Sequence, residues 1–242
     1  MQEPRHQFPV TRWTLLQTLR EGTAAESEQA LAVLCQAYWF PLYAVARSKM
    51  TVPDAEDAVQ GFFLSLLKSE IFHRVDEGKG RLRSYLLKSF ENYCSGQWRM
   101  QARQKRGGET EHINLLTLHG AETRYIKHVT ADCTDVETLF NREWARSLLE
   151  RSLNELREEH ASRGQADRFQ VMAVHLTYED SAEKMAESAA KVGVSHDAYR
   201  TSLHRLREEF RGKIESELSR TLDTRDPVII REEMLALIKA FS

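Results

Sequence analysis

Six side chains in one short stretch, His196, Arg200, Thr201, His204, Arg205 and Arg207, are hydrogen-bond donors able to reach phosphate oxygens or base edges. They alternate with Tyr199, Leu203, Leu206 and Phe210, whose i, i+4, i+7, i+11 spacing is that of one buried helix stripe. A helix that buries this stripe must turn the donors toward solvent. A second concentration of charge lies at 79–106. Lys79, Arg81, Arg83, Lys88, Arg99, Arg103, Lys105 and Arg106 stand against one acid, Glu91. The whole chain has a net charge of −2, so any affinity for a polyanion must come from local clusters such as these. Tyr85, Phe90, Tyr93 and Trp98 interleave with the cations. Most of them read as core, and Trp98, near the basic end, is best placed to stack on an unpaired base.

Chemistry of other kinds finds little support. His112, His119 and His128 fall in a stretch of weak periodicity, and His196 and His204 are too far apart on one helix to chelate one ion. Asp54 and Asp57 make a single carboxylate pair with no third ligand in view. HExxH, P-loop, GxSxG and dinucleotide-binding fingerprints are absent. No catalytic residue, metal site or cofactor is expected. Cys35, Cys94 and Cys133 are far apart with no CxxC pair, which fits a reducing compartment. No signal peptide is evident and no apolar run approaches the length of a membrane span, so a cytoplasmic location is expected.

The elements that must position these residues are helical. Gly and Pro are scarce (11 and 5) and β-branched runs are rare, which predicts an all-α fold. Ala189 and Gly193 bracket a sharp turn: the small Ala allows close helix approach, and the Gly tolerates positive φ. Ser195 caps the helix that follows, predicted over about 196–211. Upstream, a helix over 26–50 meets Pro41, where a kink or break is expected. Thr51-Val-Pro-Asp54 then caps another helix. In that helix Ala55, Val59, Phe62, Phe63, Leu66 and Leu67 share one side. Asp54, Asp57, Gly61, Ser65 and Lys68 share the other, with Gln60 at the edge. A third helix spans roughly 81–105. The pattern predicts two helical domains on a linker: an extension at 1–25, a first domain at 26–106, a linker at 107–138 with room for one short helix, a second domain at 139–222, and an amphipathic C-terminal helix within 223–242.

Five short motifs in order resemble the extracytoplasmic-function sigma factors, which carry only sigma regions 2 and 4. Asp54-Ala-Glu-Asp57-Ala-Val-Gln60-Gly-Phe-Phe63 is similar to the region 2.2 pattern D-A-E-D-L-x-Q-E-x-F, and Gly80-Arg-Leu-Arg-Ser-Tyr-Leu86 to the region 2.3 opening G-x-F-R-S-[FW]-L. Phe8-Pro-Val-Thr-Arg-Trp13 and Gln104-Lys-Arg-Gly-Gly108 resemble one branch of the family, and His204-Arg-Leu-Arg207 sits where region 4 carries H-R-L-R. The resemblance covers most of the chain. It implies a sigma factor that binds core RNA polymerase and directs promoter recognition and initiation. Asp54, Asp57, Gln60 and Phe63 would dock on the β′ clamp helices, with the β flap as a second polymerase contact. Arg81, Arg83, Lys88, Trp98, Arg99 and Arg103 would recognise and melt the −10 element. His196, Arg200, Thr201, His204, Arg205 and Arg207 would read the −35 element. An anti-sigma factor or other regulator is a further class of partner the family allows.

The chain also departs from the family. Gly61 replaces Glu or another polar residue, predicting a weaker helix and one lost clamp contact. Ser188 replaces a buried Leu or Ile, predicting altered packing of the first helix of the helix-turn-helix. Gly96 falls near a common Asp, and Val59 stands where some relatives carry a phosphorylatable Thr. Two other readings stay open: a helix-turn-helix regulator working without polymerase, and, less well supported, a metal-dependent hydrolase. The C-terminal helix reads as a structural cap on region 4 or as a regulatory segment.

Overall fold

The computed structural model describes residues 13–68, 82–103, 120–129, 135–176, 181–222 and 225–241. They form ten helices and no strand: α1 (Trp13–Glu21), α2 (Ala24–Arg47), α3 (Val52–Lys68), α4 (Leu82–Arg103), α5 (Ala121–His128), α6 (Val136–Ser162), α7 (Ala166–Ala173), α8 (Ala182–Lys191), α9 (His196–Leu222) and α10 (Pro227–Lys239). The all-α expectation is met. The chain divides into two compact units, one of residues 1–147 and 221–242, the other of 148–220. The divisions fall inside α6 and α9, whereas the periodicity places its boundary near residue 139.

Unit 1 is organised around α2. Thr23 and Glu26 form a reciprocal capping box: the Glu26 carboxylate accepts from the Thr23 amide at 2.8 Å, and the Thr23 hydroxyl oxygen accepts from the Glu26 amide at 3.4 Å. The helix does not break at Pro41. Every residue from Ala37 to Ala46 is buried, so packing on all sides holds the helix together where proline withholds one backbone bond. By length and hydropathy α2 could span a membrane, but 78% of its apolar window is buried inside the fold. α3 begins as predicted, its Asp54 amide donating to Thr51 Oγ1 at 3.5 Å. It buries Ala55, Val59, Phe62, Phe63 and Leu66, while Leu67 remains exposed. Phe62 meets Phe90 and Tyr93 of α4 edge-on, at 5.3 and 5.8 Å between ring centroids.

Elements assigned by sequence to the extension, linker and tail belong to this unit as well. α1 buries Leu16 and Leu19. In α5, Glu122 receives two bonds of 3.0 Å from Arg47 and one of 2.8 Å from the Tyr43 hydroxyl. Those bonds hold the Glu122 carboxyl below its ordinary range. The first half of α6 buries Leu139, Phe140 and Trp144. α10 starts at Asp226, whose side chain accepts from the Val228 amide at 2.9 Å, with Pro227 in the first turn. It packs within unit 1, where Arg142 of α6 donates to the Ala240 carbonyl at 3.4 Å. Its Glu233 carboxylate pairs with Arg83 of α4, a contact set by tertiary structure and invisible to periodicity.

Unit 2 holds the second half of α6, then α7, α8 and most of α9. Leu156, Phe169, Met172, Ala189, Tyr199, Leu203 and Leu206 form its core. α9 extends to Leu222, well past the predicted end near 211, because Ile214, Leu218 and Leu222 continue its buried stripe. α6 and α9 lie antiparallel, with Arg151 bonded to Glu217 at 2.8 Å, Lys213 paired with Glu159, and His160 against Glu209 at 2.8 Å.

Candidate nucleic-acid interface

The helix-turn-helix of unit 2 is built from short local rules. Ser181 caps α8, accepting from the Lys184 amide at 3.5 Å. α8 ends where Gly193 takes φ 71°, the left-handed region in which a Cβ would be strained. The Gly193 and Val194 amides donate to the Ala190 and Ala189 carbonyls at 3.1 Å, satisfying the last turn. Ser195 then accepts from the Ala198 amide at 3.3 Å and opens α9. Burial of Tyr199, Leu203 and Leu206 sets the roll of α9. Arg200, Thr201, His204, Arg205 and Arg207 are consequently exposed, as their spacing predicts.

These donors are not equivalent. Arg200, His204 and Arg205 form no ion pair with another described residue, and together make an uncommitted cationic and polar ridge along two turns. Thr201 Oγ1 donates to the Asp197 carbonyl of its own helix at 3.0 Å. One guanidinium nitrogen of Arg207 donates to the His175 carbonyl at 2.8 Å, joining α9 to the end of α7. Arg207 is thus in part a fastening inside the unit. His196 is half-buried at the first turn, its Nδ1 3.9 Å from Asp197. Glu209, four residues past Arg205, is turned onto His160.

Ser188 resolves differently from its expected disruption. It is buried, and its hydroxyl is hydrogen-bonded to Nε2 of His175 at 2.9 Å, while His175 itself is 3% exposed. The His175 ring meets Tyr199 edge-on at 5.8 Å. One residue therefore touches α8 through its ring nitrogen, and α9 through both its ring and its carbonyl. A polar pair fills the place an aliphatic contact would take. Motif and spacing do not single out His175, although a Ser at a core position is itself a signal that a partner must lie nearby.

In unit 1 the predicted residues divide sharply. Asp54 and Asp57 are exposed near the start of α3, and Gln60 is half-buried. Phe63 is 1% exposed and belongs to the core, so its assignment to a docking surface is corrected: its position in the apolar stripe turns it inward. Gly61 is also reassigned. A Cβ there would overlap the Tyr93 hydroxyl, so the glycine is a seat for α4 and not an empty polar position. Val59 is fully buried, which leaves a hydroxyl at this site no route to solvent in this fold.

Arg83 is the largest correction. It is 8% exposed, paired with Glu233, and its guanidinium carbon lies 4.4 Å from the centroid of Trp144. It cannot touch DNA in this arrangement. Burying an arginine is tolerable only with such a carboxylate and aromatic surround. Lys88 is exposed and loosely paired with Glu91 at 3.7 Å, a surface contact of little weight. Arg81 and the side chains of Trp98, Arg99 and Arg103 lie outside the described residues. Gly96 sits within continuous helix and faces open space. Among the described residues no group of His, Cys, Asp or Glu could hold a metal ion. The chain matches no family model, no curated protein and no solved structure.

Proposed function

We propose that this protein is a sigma factor that binds core RNA polymerase and directs promoter recognition and transcription initiation. The observation that carries the reading is the ridge of Arg200, His204 and Arg205 on a helix whose opposite stripe is buried and whose entry turn is a Gly193 helix-turn-helix bend. A helix presented in this way can enter a major groove with cations and imidazole toward phosphates and base edges. Unit 2 would anchor the upstream box. Unit 1 would supply the exposed acids Asp54 and Asp57 for a basic polymerase surface, and α4 would hold the melted strand through Lys88 and the basic residues that follow Gln97. Two modest sites joined through polymerase act as one reader, because each raises the effective concentration of the other.

The decisive experiment is in vitro transcription with core polymerase on genomic DNA, with start sites mapped. Starts sharing two upstream boxes are expected. Starts independent of this protein defeat the proposal. The burial of Phe63 and Arg83 thins the case for unit 1 and favours a second reading, a helix-turn-helix regulator that works without polymerase. Co-purification with core polymerase separates the two, and failure to associate selects the regulator.

A further inference from the structure

The C-terminal helix α10 turns Glu233 and Leu237 into unit 1 and leaves its opposite side bare. Val228, Arg231, Glu232, Leu235, Ile238 and Lys239 are all exposed. A helix with one side packed on a core ordinarily presents charge to water on the other. Here the outer side carries a second apolar stripe, with Leu235 53% and Ile238 63% exposed. Seven large hydrophobic side chains are exposed among the described residues, and four of them, Val228, Leu235, Ile238 and Phe241, lie on α10 or just past its end. Apolar surface gathered on one short helix marks a contact face.

The outer stripe has the spacing of a two-helix seam. Val228, Arg231, Leu235 and Ile238 follow one another at intervals of three, four and three residues. Glu232 and Lys239 stand one heptad apart along one flank of that seam, and neither forms an ion pair with another described residue. Met234 and Phe241 occupy the equivalent positions on the other flank.

These charges fit a second copy of the same helix in one orientation. In an antiparallel pair each flank meets its own counterpart. With Leu235 laid over the partner's Ile238, Glu232 comes opposite the partner's Lys239, and two-fold symmetry makes that contact twice. On the other flank Met234 comes opposite the partner's Phe241. Arg231 then falls at the rim, where its head reaches water. A parallel pair in register would set Arg231 against the partner's Arg231. The antiparallel slip that also covers Val228 would lay Arg231 on the partner's Leu235 and bring the two Glu232 carboxylates together. A polar residue in the seam and like charges on its flank thus select a single register.

We propose that the outer face of α10 is a self-association surface, through which two copies of the chain pair antiparallel with Leu235 and Ile238 in the seam and two Glu232–Lys239 ion pairs beside it. The inference does not depend on the promoter reading. A contact confined to one helix of 13 residues buries less than the about 800 Å² per partner of a standard interface, so the dimer is weak and forms as concentration rises.

The test is sedimentation equilibrium of the full chain from about 1 μM to about 500 μM, the span of weak association. The average mass is expected to rise toward twice that of one chain. Leu235→Asn removes both central contacts of the seam and should leave a monomer throughout. Glu232→Lys sets lysine against lysine on both sides of the seam, and Lys239→Glu sets glutamate against glutamate, so each alone should weaken the dimer about tenfold or more. Mixing the two single variants restores opposite charges across the seam, and their equimolar mixture should associate about as well as the unaltered chain. All three positions are exposed, and circular dichroism verifies that each variant keeps its helix content. A chain that stays monomeric overturns the proposal, and so does a dimer that survives Leu235→Asn. A dimer indifferent to both charge reversals, or one that the mixture fails to recover, overturns the antiparallel pairing.

Discussion

Replacing Ser188 with Ala deletes one hydroxyl from the buried side of α8 and leaves no cavity larger than an oxygen. The loss falls on Nε2 of His175, which is 2.9 Å from that hydroxyl on a residue only 3% exposed, so water cannot readily replace it. Leaving a buried polar atom without its partner costs about 1–3 kcal/mol. The better helix propensity of Ala returns about 0.5 kcal/mol. A net loss of about 1–2 kcal/mol is therefore expected, or about 5–15 °C in the melting temperature of a unit this small. Native-state hydrogen exchange of the α8 and α9 amides reads the loss directly. His175→Leu is expected to cost more, since it also removes the edge-on contact with Tyr199. Combining it with Ser188→Leu turns the polar pair into an apolar one and should recover at least about 1 kcal/mol relative to the sum of the single changes. Strict additivity, or a Ser188→Ala protein as stable as wild type, would refute the claim that this pair supports the helix-turn-helix.

Four further outcomes follow from the same geometry. Arg205→Ala should weaken binding to upstream-box DNA with no change in unfolding midpoint, whereas Arg207→Ala should lower the midpoint of unit 2 because it releases the His175 carbonyl; equal midpoints would show that bond to be dispensable. Gly61→Val should destabilise unit 1 by about 1–3 kcal/mol in urea unfolding, because a side chain there collides with Tyr93, and pairing it with Tyr93→Ala should restore part of the loss. Burial pushes the Cys35 thiol up to about 12 and the Cys94 thiol up to about 11, so both should resist alkylation at neutral pH until denaturant is added, as read by peptide mass spectrometry. At Glu217 burial pushes the carboxyl upward, but the hydrogen bond and charge of Arg151, with Arg220 beside it, outweigh burial and hold it below the ordinary glutamate value of 4.5. Its stabilising contribution is therefore complete above that value and lost as pH falls through the lower folded-state value. Glu217→Gln should flatten the acid limb of the unit 2 stability profile, and an unchanged limb would show that other groups govern it.

Much of the helix-turn-helix was legible in the chain because its determinants are local. A Gly that must adopt positive φ, a Ser three residues before an amide it caps, and a stripe at helical spacing act within a few residues of one another. The structure returns Gly193, Ser195 and the Tyr199–Leu203–Leu206 stripe in those roles. The same spacing turned Arg200, His204 and Arg205 outward. Periodicity also assigned the buried side of α3, including Phe63, although the motif resemblance drew that residue toward a partner surface.

What spacing could not supply is the partner across the fold. Arg83 counts as one cation among eight in a basic run until Glu233, far along the chain, arrives beside it and Trp144 takes up its flat face. Gly61 looks like a missing polar contact until Tyr93 is laid on it, and Ser188 like a packing fault until His175 turns its ring nitrogen toward it. Sequence alone determined where most of the helices lie and most of the apolar side of each, since those depend on backbone propensity and a repeat of a few residues, while helix ends such as that of α9 followed the packing. Only tertiary structure decided which charges are neutralised inside the fold and which remain on its surface, because pairing a buried charge depends on distances between residues that no spacing along the chain encodes.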